Sequence, residues 1–114
     1  MAERPWQAAG AGAVAVGSAA VLAPGHLAAV FGLPAPDGSA ALAWRLFGIR
    51  TAVVGAGIVR GSPDARRVLL PVQALDQAAF LAAGRAGAVP WRSVRRLCLA
   101  SWALVLLGLA ARSG

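Results

Sequence analysis

Five polar side chains lie inside otherwise apolar stretches of this sequence, and their types suit acid–base chemistry. Gln73, Asp76 and Gln77 follow the spacing i, i+3, i+4, which places them on one face of a helix. Arg45 and Arg50 lie in the preceding apolar stretch. A charge inside a membrane span is costly, so it is usually paired or belongs to a functional site. Because Asp76 is the only acid inside an apolar stretch, the sequence predicts an Arg50–Asp76 ion pair.

The chemistry that these residues predict is proton transfer to or from a lipophilic small molecule in a polar cavity. Asp76 is the expected general acid or base of an isomerisation, cyclisation or ring-opening reaction. Arg50 would orient Asp76 or stabilise a developing oxyanion. Substrate binding is assigned to four residues: Trp44, Gln73, Gln77 and, at the cavity entrance, Arg45.

Other interpretations of the same residues stay open. Arg50 and Asp76 can form a purely structural ion pair, with the two glutamines satisfying the remaining donors and acceptors. A small proton-coupled exporter that works as a dimer would use Asp76 for proton coupling. A non-catalytic subunit of a membrane complex also fits the length of the chain.

The composition indicates an integral membrane protein. Hydrophobic residues make up 59% of the chain and charged residues 13%, whereas a typical soluble domain has about 25% charged residues. Four apolar stretches approach the roughly 20 residues that a spanning helix needs. The sequence therefore predicts an all-α bundle of four transmembrane helices, a multi-pass protein of the cell membrane. A soluble, alanine-rich helical bundle is the alternative.

The predicted bundle is a single domain over residues 1–114. A segment at 26–33 is too short to span and is expected to form a short helix in the membrane interface after the first span. Asp37 or Ser39 is the expected N-cap of the second span, and Pro63 fits the first turn of the third. The transmembrane helices are predicted near four ranges: 6–23, 39–60, 64–84 and 90–111.

The charged residues are eleven arginines and four acids, with no lysine, which gives a formal net charge of +7. Most of the arginines flank apolar stretches, which suits lipid headgroups better than a contiguous basic surface for nucleic acid. A lipid bilayer is therefore an expected partner, and nucleic acid is not. Cys98 and His26 are the only residues of their types, so neither a metal site nor another cofactor is predicted.

Small residues recur along the first predicted helix. Ala9, Ala13 and Gly17 are four positions apart and would let another helix approach closely. Such faces on a modest bundle favour a homodimer. The same stretch is similar to a secretory signal, but Pro24, directly after the possible cleavage site, argues against its removal.

The stretch Arg-Leu-Phe-Gly-Ile-Arg at residues 45–50, followed by Val-Val-Gly-Ala-Gly, resembles a motif of the second helix in an uncharacterised family of small four-helix integral membrane proteins. The Phe-Gly-Leu segment at 31–33 and Asp76 match two further features of that family. The resemblance spans most of the chain and implies four membrane helices, but it brings no established activity. In the family an acid often follows the second arginine. Here Thr51 occupies that position, which leaves Asp76 as the partner for Arg50.

Four spans place both termini on the same side of the membrane. Cysteine-accessibility labelling should therefore reach positions 61–63 and 112–114 from one face and positions 86–89 from the other. Labelling of residues 62 and 87 from the same face would contradict this topology.

Overall fold

The structure, a computed structural model, describes residues 3–113 and contains five α-helices and no strands in that range. The predicted all-α class is confirmed. The largest difference at a helix start is in the first helix, which begins at Glu3 rather than at residue 6. The short helix covers 24–30 because residues 31–33 turn away from it. In chain order, the helices are α1 (Glu3–Leu22), α2 (Pro24–Val30), α3 (Gly38–Val59), α4 (Pro63–Arg85) and α5 (Trp91–Ser113).

The four long helices form an antiparallel ring. Helix α1 packs against α3 and α5, and α4 packs against α5 and α3. The pairs α1/α4 and α3/α5 therefore lie diagonally across the ring. Helix α2 contacts α1 and α3, and the longest dimension of the molecule is 40 Å.

Short polar side chains and prolines determine where the helices begin. Oδ1 of Asp37 accepts a hydrogen bond from the backbone N–H of Ala40 at 2.9 Å, which confirms Asp37 as the N-cap of α3. That hydrogen bond lowers the pKa of the Asp37 carboxyl below its ordinary value. Ser62 caps α4 by accepting from the N–H of Ala65 at 3.3 Å, and Pro63 follows in the first turn as predicted.

The turn between α3 and α4 depends on a glycine. Gly61 has φ of +84°, which side chains disfavour. This conformation lets the N–H of Ser62 donate to the carbonyl of Gly57 at 2.9 Å, and the N–H of Gly61 donate to Ile58 at 3.1 Å. The two bonds form a Schellman motif, which satisfies carbonyls at the end of α3 and allows a tight hairpin.

Helices α1 and α3 touch backbone to backbone. Gly10 lies against Gly55, and Gly17 lies against Gly48, so the two helices run in opposite directions. A Cβ added to Gly17 would be 2.5 Å from the carbonyl oxygen of Gly48, closer than real Cβ atoms come. Ala13 and Gly17 are buried. The small-residue face predicted on α1 is thus confirmed as a helix-packing face, and its partner is α3 of the same chain.

Arg66 joins three helices at one end of the ring. Its guanidinium donates to Glu3 of α1 through two nitrogens, at 2.8 and 2.9 Å, in the bidentate arrangement that gives strong ion pairs. It also donates to the carbonyl of Ile58 in α3, at 3.1 and 3.2 Å, and lies over the ring of Trp6. The hydrogen bonds from Arg66 lower the pKa of the Glu3 carboxyl.

Within residues 3–113, two helices are long and apolar enough to cross a membrane: α3, over Gly38–Val59, and α5, over Trp91–Ala111. The expectation of four such helices is therefore met for two of them. Helix α4 falls short because glutamine, aspartate and arginine side chains interrupt it. Helix α1 falls short because it is rich in alanine and glycine, which are less apolar than leucine and isoleucine.

The α1–α3 contact predicts that replacing two glycines of α1 by alanine changes stability to different extents. Gly17→Ala should lower the free energy of unfolding by about 1–3 kcal/mol, because the added methyl meets backbone atoms that have little freedom to move. Gly12→Ala meets nothing within 4 Å and should leave stability unchanged or slightly raised, since alanine favours the helix. Thermal unfolding in detergent, followed by circular dichroism, measures both. Equal effects would contradict the close approach.

Candidate functional site

A half-open cavity of about 630 Å³ is lined by residues from all four long helices. Cavities of this size hold small organic molecules in many proteins. Its walls are mostly alanine, leucine and aromatic side chains. Within the part of the chain that the structure describes, Asp76 is the one charged residue on the cavity wall. The lining also includes three uncharged polar residues: Thr51, Gln73 and Ser101.

The cavity borders the packed core. Leu104 and Leu107 line the cavity and also pack against a cluster that includes Trp6, Ile58 and Leu69. Ile58 and Leu69 are almost fully buried, so this part of the wall is tightly packed.

The turn after α2 forms another part of the cavity wall. Phe31 and Leu33 both line the cavity. Helix α5 holds this turn in place: Ser93 donates to the carbonyl of Gly32 at 3.3 Å, and Arg96 donates to the last carbonyl of α2 at 3.2 Å. The segment expected at the membrane interface is thus attached to the bundle.

Arg50 and Asp76 form the predicted ion pair across α3 and α4. Nη2 of Arg50 lies 3.2 Å and 3.4 Å from the two carboxylate oxygens of Asp76. The Asp76 side chain is 19% exposed and that of Arg50 is 46% exposed. Asp76 lines the cavity and Arg50 does not, so the carboxylate contacts both the cavity and the guanidinium. The contact is confirmed, whereas the catalytic roles of both residues stay a prediction.

The two glutamines bind α5 through a serine. Ser101 donates to Oε1 of Gln73 at 2.8 Å, and Nε2 of Gln77 donates to the hydroxyl of Ser101 at 3.1 Å. Gln73 and Ser101 are buried. These bonds join α4 to α5 and engage Oε1 of Gln73 and Nε2 of Gln77. Gln77 therefore has less capacity to donate to a substrate oxygen, whereas Nε2 of Gln73 makes no hydrogen bond to the described residues.

A row of aromatic rings connects the α2 turn to the ion pair. Phe31 stacks on Trp44 with ring centroids 6.5 Å apart, and Trp44 meets Phe47 edge to face at 6.2 Å. The guanidinium of Arg50 lies 5.6 Å from the centroid of the Phe47 ring. All three aromatic residues line the cavity, which agrees with the placement of Trp44 at the predicted site.

Two residues assigned to substrate binding lie outside the cavity lining. Arg45, expected at the entrance, donates to the carbonyl of Val21 in α1 at 3.4 Å. Arg45 lies five positions before Arg50, so the two side chains are about 140° apart around α3 and reach different neighbouring helices, α1 and α4. Gln77 is not part of the lining either, although it donates to Ser101, which is. The sequence predicts a polar cavity formed by Arg45, Arg50, Gln73, Asp76 and Gln77. In the structure only Gln73 and Asp76 of this set line the cavity, which is mainly apolar and has one carboxylate among the described residues.

The sequence prediction omitted Ser101 and Phe80, which both line the cavity. Ser101 had a detectable signal, since a buried hydroxyl inside an apolar helix needs a partner and the glutamines need one too. Phe80 follows Asp76 by four residues and therefore lies one turn further along the same face of α4. Aromatic residues in apolar stretches are common, so Phe80 carried no distinguishing signal.

Among residues 3–113, no group of three histidine, cysteine, aspartate or glutamate side chains is placed to hold a metal ion. Comparison of the chain with protein-family models, with curated proteins and with solved structures found no match. The family resemblance of residues 45–50 therefore stays a prediction.

The hydrogen bonds between Ser101 and the two glutamines predict a loss of stability on their removal, independent of the Arg50–Asp76 ion pair. Ser101→Ala should lower the free energy of unfolding by about 1–3 kcal/mol, because it leaves the side chains of Gln73 and Gln77 without their shared partner. Cys98→Ala removes one heavy atom from the same helix and breaks no hydrogen bond seen in the described residues. Chemical unfolding in mixed micelles compares the two variants, and a smaller loss for Ser101→Ala than for Cys98→Ala would contradict this network.

Proposed function

We propose that this chain is a multi-pass membrane protein with four spans, whose cavity binds a lipophilic small molecule and whose Asp76 transfers a proton to or from that molecule. One observation carries the proposal: a largely apolar cavity of about 630 Å³ has a single carboxylate on its wall within the described residues. An ionisable group that faces a lipophilic site is the arrangement typical of acid–base chemistry and of ion-coupled binding.

The arrangement of the helices supports four spans. Helices α3 and α5, which are long and apolar enough to cross a membrane, lie diagonally across the ring, with α1 and α4 between them. Helix α1 has 20 residues and α4 has 23, so both match the length of a span. Because neighbouring antiparallel helices share the same depth, insertion of α3 and α5 would take α1 and α4 through the same layer, about 30 Å thick.

The outer surface supports the same conclusion. Large apolar side chains point outward on several helices, and Leu75 of the less apolar α4 is 70% exposed. Contiguous apolar surface is rare on soluble monomers and typical of contact with lipid. The exposed apolar residues of α3 and α5 recur with helical spacing: Leu42, Leu46, Ile49 and Val53 on α3, and Leu99, Trp102, Leu106 and Leu109 on α5.

Asp76 is the group best placed for chemistry on a bound molecule. Its carboxylate lines the cavity, and Arg50 contacts it from a position outside the lining. Arg50 is therefore a positioning residue in this proposal. Ser101 is bonded to glutamines and has no histidine beside it in the described residues, so acid–base catalysis fits better than attack by a serine nucleophile.

A lipophilic ketone tests proton transfer directly. With 2-tetralone and the protein in nanodiscs in D₂O, Asp76 would remove a proton from the carbon beside the carbonyl, which gives an enolate, and a solvent deuteron would replace that proton. Asp76→Asn should slow the protein-dependent deuterium uptake by about 10²-fold or more, because an amide does not accept the proton. Mass spectrometry of the ketone measures the rate.

Three variants separate catalysis from structure. Arg50→Gln should alter the rate less than Asp76→Asn, because Arg50 acts through the carboxylate. Asp64→Asn is the matched control, since Asp64 is an exposed acid of the same helix that pairs with Arg67. If the Asp76 and Arg50 variants fold normally and lose no activity, the proton-transfer proposal is wrong. If both fail to fold while the control folds, a structural ion pair is the better account.

A further inference from the structure

The carboxylate of Asp76 keeps acceptor capacity on its cavity side. A carboxylate offers about four lone-pair sites. Among residues 3–113, the partner of these oxygens is a single nitrogen of Arg50, at 3.2 and 3.4 Å. By comparison, Arg66 binds Glu3 through two nitrogens at 2.8 and 2.9 Å. The Arg50–Asp76 contact is therefore long and leaves room for a second donor.

Of the other buried polar groups on the cavity wall, the hydroxyl of Ser101 and the amide oxygen of Gln73 are already engaged, and the uncharged amide nitrogen of Gln73 is the remaining donor among the described residues. Gln73 and Ser101 are hydrogen-bonded to each other at 2.8 Å. No arginine or histidine belongs to the lining formed by the described residues. The strongest open polar group is thus an anionic acceptor, so a ligand that donates a hydrogen bond and carries positive charge is favoured over a lipophilic anion.

The surroundings of Asp76 favour the same ligand. Phe31, Trp44, Phe47 and Phe80 all line the cavity. Aromatic faces attract cations, with the largest effect where water is excluded. The guanidinium of Arg50 lies 5.6 Å from the centroid of the Phe47 ring. The Phe47 ring therefore already accommodates one cation next to Asp76.

We propose that the ligand is a lipophilic amine, bound as its ammonium form, which donates an N–H to Asp76 while its apolar body lies against the aromatic wall. This inference rests on the ligand-binding part of the proposed function and names its chemical class. The ammonium shares the carboxylate with Arg50. A lipophilic anion would meet the Asp76 carboxylate, and the described residues of the cavity wall offer it no cation.

A matched series with one biphenyl body and three head groups tests the charge preference. The probes are biphenyl-4-ylmethylamine, biphenyl-4-ylmethanol and biphenyl-4-carboxylate, which are cationic, neutral and anionic at neutral pH. Equilibrium dialysis against the protein in phosphatidylcholine nanodiscs, corrected with empty nanodiscs, gives each Kd. The amine should bind about tenfold or more tightly than the alcohol, and the carboxylate should bind most weakly.

Variants assign the preference to Asp76. Asp76→Asn should remove the advantage of the amine and keep the affinity for the alcohol. Arg50→Gln should increase that advantage, because the competing cation is gone. Asp64→Asn should leave all three affinities unchanged. If Asp76→Asn fails to fold, the double variant Arg50→Gln/Asp76→Asn, which leaves no unpaired charge, should bind the alcohol without preferring the amine.

The outcomes distinguish the two proposals. If the alcohol binds and the amine binds no more tightly, or if the preference survives in the Asp76 variants, the amine inference is overturned and the lipophilic cavity stands. If none of the three probes binds the wild-type protein, ligand binding by this cavity is itself contradicted.

Discussion

The backbone contact between α1 and α3 is the constraint on which the rest of the bundle depends. Glycines at positions such as 17 and 48 let the two helices approach until their peptide groups meet, so these helices form a rigid pair. Small residues have the opposite effect on the faces that line the cavity. Gly12, Ala43 and Ala103 are too short to fill the space between the helices, so the centre of the ring stays open. The same residue types thus produce close packing on one face and an empty volume on another.

Two closely packed helix pairs, α1–α3 and α4–α5, are joined by an apolar cluster that includes Trp6, Ile58 and Leu69, and by polar contacts. Arg66 connects α4 to the beginning of α1 and the end of α3, and Arg50 connects α3 to Asp76. Within the α4–α5 pair, Ser101 is hydrogen-bonded to both glutamines. A buried charge pair costs desolvation that apolar packing avoids. Arg66 and Ser101 already supply polar links between helices, so the bundle does not depend on the looser Arg50–Asp76 contact alone. That difference favours a functional interpretation of Asp76.

Local signals in the sequence predict the helices well, because each signal acts through its own neighbours. Asp37 accepts a hydrogen bond at the start of α3 and Pro63 lies in the first turn of α4, as the sequence predicts, and Gly61 ends α3 by adopting a positive φ. The ion pair was also predictable, because Asp76 is the one acid inside an apolar stretch. The rotation of each helix against its neighbours was not predictable. Helix α4 lies between α3 and α5, so side chains on one broad face of α4 contact two different helices.

The residues at 45–50 point to different sides of α3 and make different contacts. Gly48 makes the close contact with α1, Phe47 lines the cavity, and Arg50 reaches Asp76. Arg45 lies on a different side of the helix and donates to the carbonyl of Val21. One helical segment therefore serves the helix contact, the cavity wall and the ion pair. The ring of Phe47 lies next to both the cavity and the guanidinium of Arg50, so the cavity wall and the ion pair share this side chain of α3 as a neighbour.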